Sequence, residues 1–133
     1  MNQTEKTISI FEYEGHEVRR EWDEHNEKYW FSIVDVVGIL TDQPDRKSAG
    51  NYWRKLKQRL SEEGNQSVTN CHALKLIATD GKKYLTDVAD IEQLFRINQS
   101  IPSKKVEPIN QWLATVGRER IDELVNPEIA FQN

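Results

Sequence analysis

Residues 28–60 read KYWFSIVDVVGIL, TDQPDRKSAG, NYWRKLKQRL, and they decide the fold. An aromatic strand end at Tyr29, Trp30 and Phe31 runs into an apolar segment, a polar turn and a basic segment. Ser32 and Asp35 have capping-box spacing, in which the serine oxygen accepts a backbone N–H and the carboxylate reaches back. Ile33, Val36, Val37 and Leu40 share one face of a 3.6-residue period. Their β-branched content favours a strand. Alternation nevertheless fails at Val36-Val37 and Ile39-Leu40, so the pattern predicts a helix. Pro44, in the 41–45 turn, stops it.

A second helix is predicted over 47–63, with Gly64 just past its end. Ala49, Trp53, Leu56 and Leu60 share its inward face. The same projection puts Lys47, Asn51, Arg54, Lys55 and Gln58 opposite, with Tyr52, Lys57 and Arg59 on the flanks. The two segments form a helix–turn–helix-like pair.

Working outward, 8–13, 17–22 and 29–31 read as strands of an antiparallel meander, with Val18 and Trp22 inward and a turn at Gly15. Residues 65–70 form a polar link with room for a short strand at 67–69. Segments 74–79 and 82–85 flank Asp80-Gly81, a hairpin signal whose two central residues must tolerate positive φ. Thr86 is expected to cap a third helix with Val88, Ile91, Leu94, Phe95 and Asn98 on its inner face. Asp87 and Asp90 would then suit its positive end. A fourth helix opens at Ser103, or at Pro108 as its first turn, and buries Val106, Ile109, Trp112, Leu113 and Val116. Gly117 is expected to bend or interrupt it before Ile121, Leu124 and Val125 resume the stripe. The expected class is α+β: an N-terminal antiparallel β-meander, a helix–turn–helix-like pair, a β-hairpin wing and C-terminal helices.

A chain of 133 residues has the size of one domain spanning 1–133, with 10–130 ordered. It is long enough to bury a core without metals or disulfides. The one cysteine, Cys71, excludes an internal disulfide and fits a reducing compartment. No apolar run approaches the ~18–20 residues that span a bilayer, and the first residues lack a signal-peptide core. A cytoplasmic protein with no membrane partner is expected. The net charge of −4 is unevenly spread. Residues 44–60 hold six basic residues against Asp45, a net of +5, whereas 12–27 hold seven acids against Arg19 and Arg20, a net of −5. Such polarity suggests one face for a polyanion and another for water or a protein.

Catalytic chemistry finds little support. His16, His25 and His72 are scattered, and Cys71 and His72 are adjacent, so on a strand they point to opposite faces. No zinc spacing or phosphate-binding glycine loop is present. The expectation is a non-enzyme with no catalytic residues, no metal and no cofactor. The basic helix carries a stronger signal. Basic helix faces are most often merely solvated. Here Asn51 and Gln58 accompany Arg54, and arginine pairs bidentately with guanine, amides with adenine, in the major groove. The preceding helix and short turn give helix–turn–helix spacing. Lys82 and Lys83 at the hairpin tip could grip phosphate as a wing. The tryptophans, spread over four elements, read as core anchors, while the Tyr52 hydroxyl could reach a phosphate. The candidate DNA-binding set is therefore Arg46, Lys47, Asn51, Tyr52, Arg54, Lys55, Lys57, Gln58, Arg59, Lys82 and Lys83, with double-stranded DNA as partner. A homodimer would double the phosphate contacts.

YWFSIVDVVGIL, NYWRKLKQRL, VTNCHALKLIATDGKKYLTDVADIEQLFRINQSIPS and EPINQWLATVGRERIDELVNPEIA together resemble the Bro-N domain. This is the N-terminal module of baculovirus repeated-ORF proteins and phage antirepressors. Within it the chain is most similar to the DNA-damage-inducible protein D branch of bacteria and prophages, over about 10–130. The resemblance implies an α+β DNA-binding domain with a role in phage or stress-response regulation. Proteins of that branch continue into a further helical region, so a short member or the N-terminal part of a longer protein is expected. Antirepressors can instead bind a repressor protein, an alternative for which the acidic 12–27 region leaves room.

Overall fold

The structure is a computed structural model and describes residues 8–65 and 69–125, with side chains described for 12–65 and 69–117. Strand β1 (Ile8–Tyr13) reverses through Glu14 and Gly15, both at positive φ, into β2 (His16–Asp23). The Asp23 carboxylate accepts the backbone N–H groups of His25 and Asn26 and the indole N–H of Trp30 at 2.9 Å. That Asx-type loop returns the chain as β3 (Lys28–Ser32). Helices α1 (Ile33–Leu40) and α2 (Arg46–Glu62) follow. Strands β4 (His72–Ile77) and β5 (Lys83–Ala89) form the hairpin, and α3 (Ile91–Gln99) and α4 (Val106–Val125) complete the fold. All five strands form one antiparallel sheet in the order β1-β2-β3-β5-β4. The α+β class, meander, helix pair, hairpin and C-terminal helices are as the sequence predicts.

Strand alternation sorts the residues onto two layers. Val18, Trp22, Tyr29 and Phe31 face the main core. There they meet Val36, Val37 and Leu40 of α1, Trp53, Leu56 and Leu60 of α2, Leu94 and Ile97 of α3, and Ile109, Leu113 and Val116 of α4. Trp30 points the other way and packs with Leu76 and Val88 in a smaller cluster. Gly38 brings α1 close to α2, since a Cβ there would lie 3.1 Å from the Ala49 Cβ.

Several local expectations are corrected. Thr86 caps nothing: β5 continues to Ala89, because Val88 and Ala89 pair with Ser32 and Phe31 of β3. The cap of α3 is Asp90, whose carboxylate accepts the Gln93 N–H at 2.9 Å. Asp87 therefore lies in the strand. The hairpin loop is longer than two residues. Ala78 N–H donates to Lys82 O and Gly81 N–H to Ala78 O, and only Gly81 of the Asp80-Gly81 pair has positive φ. A type I turn with a glycine bulge fits this pattern. The strands are displaced accordingly, 72–77 and 83–89 in place of 74–79 and 82–85. Helix α4 opens at Val106, not Ser103, with Pro108 in its first turn. Gly117 does not break α4; a Cβ there would meet Ile91 Cδ1 at 2.1 Å, so its bareness admits the start of α3. The strand considered at 67–69 falls mostly outside the described residues, as do 1–7 and the side chains of Ile121, Leu124 and Val125.

Candidate nucleic-acid interface

Helix α2 starts one residue before the expected span because Asp45 caps it, its carboxylate accepting the Ser48 N–H at 2.8 Å. That hydrogen bond, with the Ser48 hydroxyl adding a second, holds the Asp45 carboxyl below its ordinary range. Gly64 at positive φ follows the C-cap, Glu63. Ala49, Trp53, Leu56 and Leu60 are buried, and this stripe fixes the helix rotation. Lys47, Asn51, Arg54, Lys55, Gln58 and Arg59 are consequently exposed, and Arg46, Tyr52 and Lys57 half-buried. Tyr52 packs against the core.

The exposed set is partly pre-oriented. Arg54 Nη1 donates to Asn51 Oδ1 at 2.9 Å, leaving its remaining N–H groups on the helix surface. Gln58 Nε2 donates to Glu62 Oε1 at 3.2 Å. Arg59 Nη2 donates to Ser100 O at 3.2 Å and so ties α2 to the end of α3. The half-buried cations serve the fold as well. Lys57 pairs with Asp87 at 3.0 Å, and the same Asp87 oxygen accepts Trp53 Nε1–H at 2.8 Å. Arg46 lies 3.3 Å from Asp35 and 3.7 Å from Glu17. Lys47 and Lys55 present their ammonium groups with no ion pair among the described residues.

The structure also shows what the sequence reading missed. Asp35 caps less than it anchors. Ser32 Oγ does accept the Asp35 N–H at 3.3 Å. The Asp35 carboxylate, however, accepts the Arg19 backbone N–H at 3.0 Å, Arg19 Nε at 2.8 Å and Arg19 Nη2 at 3.0 Å. Arg19 is buried, and its Nη1 donates onward to Ile77 O of β4 at 2.9 Å. The signal was available: a lone carboxylate inside IVDVVGIL needs a buried cation.

Hairpin and helix come together. The 46–57 side of α2, through Arg46, Gly50, Arg54 and Lys57, forms one wall of a groove of about 470 Å³, and Tyr84 and Leu85 of β5 form the other. Leu85 is 71% exposed and Tyr84 50%. Lys82 and Lys83 are exposed at the hairpin tip. The tip is pinned by Asp80, whose carboxylate accepts the Tyr84 hydroxyl at 2.6 Å and the Lys82 N–H at 2.8 Å. The Tyr84 hydroxyl first, then that N–H, hold the Asp80 carboxyl below its usual range.

The geometry thus sets a helix with exposed basic and amide side chains beside a two-stranded hairpin. The chain belongs to the BRO family, matching its N-terminal domain, Bro-N, over residues 17–120. That family is associated with DNA-binding and phage antirepressor N-terminal domains. Comparison with curated proteins gives no match, and comparison with solved structures gives none. Among the described residues no helix is long and apolar enough to cross a membrane.

Proposed function

We propose that this domain binds double-stranded DNA through α2 without catalysing a reaction on it, within a prophage, antirepressor or DNA-damage-response regulator. One observation carries the reading: Lys47, Asn51, Arg54, Lys55 and Gln58 are all exposed on one face of a helix whose other face is locked into the core. Arg54 and Lys55 anchor the helix on the backbone, and Asn51 and Gln58 reach base edges. Lys47, with Arg46, Lys57 and Arg59 held in place by their own partners, supplies phosphate contacts. Lys82 and Lys83 add contacts from the hairpin, and the Tyr52 hydroxyl adds one from the flank.

The test is a duplex titration at several salt concentrations, for the native chain and for Arg54→Ala/Lys55→Ala. Phosphate contacts make log affinity fall linearly with log salt, by ~0.9 per contact. The double variant should bind more weakly, with a slope shallower by about 2. Absence of binding at low salt, or binding indifferent to those residues, would refute the assignment. Sedimentation of the same complexes distinguishes one copy per site from two.

A second reading is favoured by a different observation. Glu12, Glu14 and Glu17 are exposed at the β1–β2 turn, and Glu24 and Glu27 at the β2–β3 loop, at the other end of β2. The acidic 12–27 region would receive a basic repressor protein, and charge reversal within it would release that partner.

A further inference from the structure

We propose that the groove between α2 and β5 is a second binding site, which takes an extended peptide segment of alternating apolar and acidic residues as an added strand on β5. Three features of the groove converge on that occupant.

The first is a strand edge. In an antiparallel pair every second residue turns its N–H and C=O away from the partner. Strand β5 pairs with β4 from Lys83 to Val88, but with β3 only at Val88 and Ala89, because β3 ends at Ser32 and the chain enters α1. Among the described residues, 83–87 therefore have a strand on one side only, and residues 84–87 line the groove. Five residues at ~3.4 Å each give about 17 Å of edge, the length of a short strand. Open edges of this kind accept added strands.

The second is the wall facing it. Gly50 sits inside a 17-residue helix, where glycine is unfavourable relative to alanine. Nothing lies within 4 Å of a Cβ built there, so packing does not require the glycine. Its bareness widens the groove instead.

The third is chemistry. Strand alternation turns Leu85, like Asp87, toward α2 and turns Tyr84 to the opposite face beside Leu76, while Arg46, Arg54 and Lys57 supply positive charge from the helix. The acid in the groove lining, Asp87, is already bound to Lys57 and Trp53. Alternate residues of an added strand would turn their carboxylates toward the cations of α2 and their apolar side chains to the opposite face, beside Tyr84. A polynucleotide would use the cations, yet it needs stacking faces more than an aliphatic wall. Trp53 is buried, which leaves the groove lining one exposed ring, Tyr84, too few stacking faces for a polynucleotide track, and this favours the peptide.

The experiment selects binders from a display library of nine-residue peptides alternating Val, Ile, Leu or Phe with Asp or Glu, using the full chain as bait. Selected peptides should bind, shift the backbone amide resonances of 83–87, and slow hydrogen exchange there. Gly50→Leu, which fills open space and raises helix propensity, should retain the thermal transition and lose at least tenfold in peptide affinity. A proline at the centre of a selected peptide should cost as much, since it removes a ladder donor. Failure to enrich any binder, or binding unaffected by Gly50→Leu, overturns the proposal. So does a result in which Gly50→Leu weakens duplex or single-stranded DNA binding and leaves peptide binding intact. The duplex titration with Arg54→Ala/Lys55→Ala reports separately on DNA binding.

Discussion

Asp35 shows how one side chain acquires a role that its local sequence does not announce. Its position after Ser32 reads as a cap, and half of that reading holds, through the Asp35 N–H. The carboxylate instead joins Arg19 of β2 to Arg46 of α2. Arg19 is 16 residues away, so no local pattern could pair them. Removing one partner of a buried ion pair typically costs about 3–5 kcal/mol, because the other charge stays buried and unpaired. Asp35→Ala should lower stability by that order in urea denaturation, and Asp35→Asn by less. Cys71 makes a separate prediction. Burial, with the nearby Asp87 charge adding to it, pushes its thiol up from 9.0 to about 11. The folded state then holds the thiol proton more tightly than the unfolded one, so stability declines as pH rises from about 9 to 11. Alkylation by iodoacetamide should be slow at pH 8 in the native chain and become fast only on unfolding or near pH 11.

At the scale of elements, the α1–α2 pair was legible and the β5–α3 boundary was not. The apolar period and its caps are local, and the rotation of α2 follows from four inward residues at helical spacing. Thr86, Asp87 and Asp90 are all residue types that cap helices, three within five positions. What selects Asp90 is the pairing of Val88 and Ala89 with β3, more than 50 residues earlier. A non-local partner thus outweighed helical periodicity at 88, 91 and 94. The α1–α2 contact is the element-level feature most open to test. Gly38 faces the Ala49 Cβ, which the helix backbone holds in place. Gly38→Val puts two further methyl groups into that contact and should cost roughly 1–3 kcal/mol as overpacking. The loss would be read from thermal or urea transitions. Gly50→Leu, on open surface of the same pair, should show no such loss.

Over the whole molecule, charge and topology divide the labour. The basic residues of 46–59 lie along one helix, while exposed glutamates occupy the β1–β2 turn and the β2–β3 loop of the meander, in a chain whose net charge is −4. Composition alone would have argued against a polyanion, and only the order of charges along the chain pointed to one. The candidate face on α2 was legible because helix geometry is periodic. The groove was not, because it depends on β3 stopping short of β5 and on the hairpin lying against α2. The Arg19 guanidinium bears on that groove. It reaches Ile77 O on the hairpin while its own Asp35 partner also takes Arg46 from the helix, so both walls are fastened to one buried point. A cleft braced in this way carries its binding shape before any ligand arrives. Little conformational entropy is then left to lose on association, and the on-rate is set by encounter and orientation, not by a preceding rearrangement.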